Sequence, residues 1–194
     1  MRTLKLEMQV SADGFAADAQ AGTDWMVWNW APQWRWDEPL RQYHNALTTA
    51  SDCILLSRMM AEEGFHSHWE EVARNSPDPQ CAFADPITQM RKIVFSRTLA
   101  ESRWPRTELA RGSLPEVVNA LKREPGKDIL VYGGPTFASA LLDAELIDEL
   151  HLFINPAVLG RGRPMFKGLQ RHQSLRLQAA TAFDCGVAVL RYAR

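Results

Sequence analysis

Leu4, Leu6, Met8 and Val10 alternate with Lys5, Glu7 and Gln9, and a period of two predicts a strand with one buried face. Continuous apolar runs follow at Asp52–Leu56, Lys92–Phe95 and Ile129–Tyr132. Such runs suit strands covered on both sides. Between them the spacing turns helical. Leu40, Tyr43, Leu47 and Ala50 predict a helix over 37–50, and Leu114, Val117, Val118 and Leu121 predict one behind a Ser113…Glu116 capping box. Residues 59–62 look like a helical start, 65–76 are amphipathic but poorly patterned, 83–90 suit a short helix and 107–110 a weak strand. Glu149 to Ala157 predicts a further strand and 158–166 a loop. Leu175–Ala179 and Val187–Arg191 predict a closing antiparallel pair turned at Asp184–Gly186.

Strands alternating with helices predict an α/β fold on a mainly parallel, mixed sheet. Repeats, low-complexity tracts and long linkers are absent, so one domain over 1–194 is expected. With 46% hydrophobic residues the chain can build a real core. Lys and Arg number 22 against 23 Asp and Glu, a net charge of -1, which argues against a nucleic-acid or membrane surface. Three widely spaced cysteines and an opening broken by charges predict a cytoplasmic protein with reduced thiols.

In α/β sheets, ligands collect at the carboxyl ends of the strands. Three such ends carry chemistry: Ser57-Arg58, Ser96-Arg97 and Gly133-Gly134. The glycine pair runs into a helix opened by Pro135, so bare N–H groups meet a helix N-terminus. That suits a phosphate, and equally an ordinary tight turn. Guanidinium and hydroxyl groups match a phosphate monoester. One monoester plus one diphosphate describes NADPH. Five tryptophans at 25, 28, 30, 34 and 36 offer a wall for a flat ring, a packed surface flap or a dimer contact.

The pieces VSADGF, ILLSR, IVFSRTL, the long run from Gly126 to Phe166, and GVAVLRY are similar to the dihydrofolate reductase superfamily. In particular they resemble the reductase domain of the bifunctional deaminase–reductase of riboflavin synthesis. The resemblance implies a three-layer α/β/α sandwich with a C-terminal antiparallel hairpin. It implies an NADPH-dependent reductase of a small substrate, similar to 5-amino-6-(5-phosphoribosylamino)uracil reductase or dihydrofolate reductase, and a homodimer. By the same resemblance Gly133, Gly134, Pro135, Thr136 and Phe137 would hold the diphosphate. Arg58, Ser96 and Arg97 would hold the 2′-phosphate, and Val10, Ser11 and Ala12 would edge the nicotinamide. Pro156, Val158 and Leu159 would meet the nicotinamide or substrate, with Trp25 and Trp28 as the wall. Asp13, Asp37 and Glu38, in that order, are candidates for the proton of the reaction. Relatives commonly have Gly before the first arginine and Thr two residues after it, where Ser57 and Met60 stand here. His68-Trp69-Glu70 satisfies H-x-E without the P-C-x-x-C that a zinc deaminase needs, so no metal is expected.

Overall fold

The computed structural model describes residues 1–27, 36–75 and 81–194. The fold is α/β on a mainly parallel, mixed sheet, with a small antiparallel sheet besides. The chain packs as two compact units, each discontinuous in sequence: Met1–Leu4 with Arg41–Tyr132, and Lys5–Leu40 with Gly133–Arg194.

The first unit holds β3 (Ser51–Ser57), β4 (Arg91–Phe95), β5 (Thr107–Leu109) and β6 (Asp128–Val131). They run parallel in the order β5-β4-β3-β6. Cys53 to Leu56, Ile93, Val94 and Ile129 to Val131 are buried. This is why their sequences read as unbroken apolar runs. Burial pushes the Cys53 thiol up to about 11, so it is inert at neutral pH. Short helices follow the strands: α2 (Arg58–Glu62), α3 (Phe65–Asn75) and α4 (Ala84–Gln89). The weak pattern of α3 has a reason. Its packing stripe is aromatic, with Phe65 6.2 Å from Trp69 and Trp69 5.1 Å from Phe83, ring to ring. α5 (Leu114–Arg123) starts at the expected capping box, with Ser113 Oγ accepting from the Glu116 N–H.

The second unit holds β1 (Leu4–Ser11, from Lys5 on), β7 (Glu149–Asn155), β9 (Arg176–Ala182) and β10 (Ala188–Ala193). β1 and β7 are parallel, with Ser11 opposite Asn155, and β10 lies antiparallel to both β7 and β9. The hairpin β9–β10 is the expected closing pair. α6 (Pro135–Asp143) buries Ala138, Leu141 and Leu142. Two elements escape the sequence pattern. β2 (Phe15–Ala17) and β8 (Arg163–Pro164) pair inside segments that read as loops. α1 (Glu38–Thr49) begins in the second unit and continues in the first.

Arg2 ties the first unit's chain start to its strands. Its buried guanidinium forms an ion pair with Asp52 and donates from Nε to the Lys127 carbonyl at 2.6 Å. Asp52 is half exposed, so water softens its loss. Arg2→Ala is expected to cost about 2 kcal/mol, measured as a lower urea midpoint at unchanged slope.

Candidate active site

In the first unit, the parallel register sets Ser57 opposite Phe95 at the ends of β3 and β4. Arg58, which opens α2, and Ser96 are the next residues past the two strand ends. Arg97 is exposed and forms no ion pair among the described residues. Ser96 Oγ accepts from the N–H groups of Thr98 at 3.2 Å and Leu99 at 3.0 Å. Those contacts use its lone pairs and leave its proton to donate. Arg58, Ser96 and Arg97 thus follow the ends of two paired strands. Sequence reasoning passed over Glu62. It lies one helical turn beyond Arg58 and accepts from Arg58 Nη1 at 2.7 Å. The i, i+4 spacing was the signal.

Two buried ionisable groups of this unit lie at the other ends of its strands. Lys92, the second residue of β4, donates to the carbonyls of Thr88 and Met90 at 3.0 and 2.8 Å. Burial, then Arg106, holds its pKa down to about 8. His66 Nε2 meets Thr107 Oγ1 at 2.9 Å, and burial, then Lys92, lowers its pKa to about 4. Their hydrogen bonds fit structural roles.

In the second unit, Gly133 and Gly134 lead into α6 with φ of 109° and 33°, in the left-handed region. A Cβ on Gly133 would clash with Met8 Sδ. α6 has no side-chain cap, and Pro135 opens it. The N–H groups of Phe137 and Ala138 both donate to the Gly134 carbonyl at 3.0 Å, and the helix dipole favours an anion at this end. Gly133 is buried, and its missing side chain makes room for Met8.

The loop after β1 is joined to the loop after β7. Ala12 N–H donates to Ala157 O at 2.8 Å. Asp13 accepts from Ser11 Oγ at 2.6 Å, Gly160 N–H at 2.7 Å and Leu159 N–H at 3.1 Å. Val10, Ser11, Ala12, Pro156, Val158 and Leu159 thus belong to one loop cluster. The Ser11 hydroxyl, then the Gly160 N–H, hold the Asp13 carboxyl down to about 2. It is ionised at neutral pH and has no proton to give, so the structure gives Asp13 an anchoring job. Asp37 accepts from Leu40 N–H at 2.9 Å, as a helix cap does, and from Cys185 N–H at 3.1 Å. Glu38 is exposed in the first turn of α1.

Trp25 Nε1 donates to Gly22 O at 3.2 Å, and Trp28 lies outside the described residues. Trp36 is 3% exposed and stacks on Phe153 with centroids 5.7 Å apart, so it is core rather than wall. The residue sequence reading missed is Asn155. Fully buried at the end of β7, it accepts from Val27 N–H and donates to Gln9 Oε1, both at 2.8 Å. A polar residue closing an apolar strand just before Pro156 was its signal.

The family model described as the RibD C-terminal domain matches residues 2–189. The chain belongs to this family. It is 29% identical over 192 residues to the uncharacterized protein YyaP of Bacillus subtilis (strain 168), covering 98% of this chain and 94% of YyaP. It is 30% identical to the riboflavin biosynthesis protein RibD of Escherichia coli (strain K12), covering 87% of this chain and 53% of RibD. The chain thus spans about half the length of that RibD. A similar solved structure is the diaminohydroxyphosphoribosylaminopyrimidine deaminase/5-amino-6-(5-phosphoribosylamino)uracil reductase of Thermotoga maritima. It is 15% identical with a TM-score of 0.67, covering 99% of this chain and 56% of that one, and it shows the shared fold.

The Asp13 anchor has a pH signature. Its folded pKa lies below the ordinary value of 3.8, so its contribution to stability is complete above about pH 4 and fades as pH falls toward 2. Asp13→Asn is expected to flatten the fall of Tm between about pH 4 and 2, measured by thermal melts across that range.

Proposed function

We propose that this chain is a cytoplasmic NADPH-dependent reductase. It would transfer a hydride to a flat heterocycle of the ribosylated-pyrimidine or pterin type, and act as a homodimer. One observation supports the reading: the β3–β4 register sets Ser57 opposite Phe95, so Arg58 and Ser96 are the next residues at adjoining strand ends, followed by Arg97, which forms no ion pair among the described residues. Two guanidinium groups and a hydroxyl donor suit a phosphate monoester better than an adenosine 2′-hydroxyl. Membership of the RibD C-terminal domain family supports reductase chemistry. No helix among the described residues is long and apolar enough to cross a membrane, which accords with the location proposed.

NADPH, when bound, supplies the hydride. The chain supplies position. The start of α6, formed by Gly133, Gly134, Pro135, Thr136 and Phe137, would take the diphosphate at the positive end of the helix dipole. Val10, Ser11 and Ala12 would edge the nicotinamide with main-chain groups, held to the loop of Pro156, Val158 and Leu159 by Asp13. Trp25 and Trp28 remain proposed for the substrate ring. The proton would come from water or from Glu38.

A second reading, a nucleotide-binding sensor of the same fold without turnover, draws on one observation. The carboxylates of Asp13 and Asp37 are both engaged as acceptors of backbone N–H groups. Loss of NADPH absorbance with a pyrimidine or pterin substrate supports the enzyme. Binding without turnover across both panels supports the sensor.

Arg58→Ala and Arg97→Ala are each expected to weaken NADPH binding about tenfold and leave NADH nearly unchanged, followed by quenching of tryptophan fluorescence. Equal losses for both cofactors would contradict the assignment of the 2′-phosphate.

A further inference from the structure

The guanidinium that opens the proposed phosphate seat is already in use. Arg58 Nη1 donates to Glu62 Oε2 at 2.7 Å. The other carboxylate oxygen of Glu62 accepts from Arg103 Nη2 at 3.4 Å. Arg103 in turn lies over the Trp104 ring, 5.2 Å from its centroid. Glu62 therefore joins the guanidinium that follows β3 to one in the loop that follows β4. Ser57 Oγ accepts from Met60 N–H and caps α2.

We infer that Glu62 tunes cofactor choice and weakens this chain's preference for NADPH over NADH. This rests on the dinucleotide reading above and goes beyond it. A 2′-phosphate approaching Arg58 brings a charge of about −2 beside a carboxylate that is hydrogen-bonded to the same guanidinium. The two anions compete for one fork, and each weakens the other's hold. A ribose 2′-hydroxyl meets the reverse situation. It is a donor, and an acidic side chain near a strand end is the group that accepts from it in NAD-binding sites. One position thus carries both selection devices: the arginine that favours the phosphate and the carboxylate that favours the hydroxyl. The site is open to water, with the Glu62 side chain 28% exposed, so the repulsion is partly screened. That limits the expected effect to about one order of magnitude.

The test uses the full chain as Glu62→Gln and Glu62→Asp, each titrated with NADPH and with NADH by quenching of tryptophan fluorescence. Glu62→Gln removes the charge and keeps the shape. The ratio of NADPH to NADH affinity is expected to rise about tenfold, through tighter NADPH binding. Glu62→Asp keeps the charge and is expected to leave the ratio within about threefold of the parent. If both cofactors bind and Glu62→Gln leaves the ratio unchanged, Glu62 does not select. An equal rise for Asp and Gln would also overturn the inference, since charge would not be the cause. If neither cofactor quenches the parent or the variants, the dinucleotide reading itself falls and takes this one with it.

Discussion

The parallel pairing of β3 with β4 is the constraint on which the proposed chemistry depends. Parallel strands end on the same side, and their hydrogen-bond register fixes which residues leave the sheet together. With Ser57 opposite Phe95, Arg58 and Ser96 are the first residues past the two strand ends. A slip of one residue would turn Leu55 and Leu56 over and bring a different pair to the strand ends. Close packing of the side chains on both faces of these strands disfavours that slip. The apolar run that builds the core therefore also aims the polar residues that follow it.

The second unit achieves positioning by a different means. Its loops after β1 and β7 lack the length of ladder that would hold them, and one carboxylate does the work. Asp13 gathers a hydroxyl and two main-chain N–H groups, and those donors keep it ionised. Asp37 acts similarly between the start of α1 and the turn of the β9–β10 hairpin. Acidic residues that look from sequence like proton donors serve here as acceptors that lock backbone. The amide of Asn155 completes the pattern at the end of β7, satisfying a buried Val27 N–H that water cannot reach.

Much of the fold was legible because it follows local rules. The strands of the first unit declare themselves by unbroken apolar runs, β1 by alternation, and α5 by Ser113 and Glu116. β2 and β8 were not legible, since three and two residues cannot show a period. α3 was obscured because its contacts are aromatic rather than aliphatic. The division into two units was invisible for a topological reason: each is assembled from distant segments of chain. Arg58, Ser96 and the glycine pair could be named from strand ends alone. The task of Asp13 could not, because its partners lie 146 and 147 residues away. Glu62 stood in plain sight at i, i+4 from Arg58, but its meaning depends on Arg58 being a phosphate ligand.

The most direct measurement of the central claim is phosphorus NMR of NADPH bound to the protein, followed through a pH titration. A free phosphate monoester takes up its second proton near about pH 6. If guanidinium groups at the ends of β3 and β4 grip the 2′-phosphate, its resonance will shift on binding and its pKa will fall, since neighbouring positive charge favours the dianion. If the diphosphate resonances shift while the 2′-phosphate titrates as it does in free solution, the far end of the cofactor is not held there and the account is contradicted.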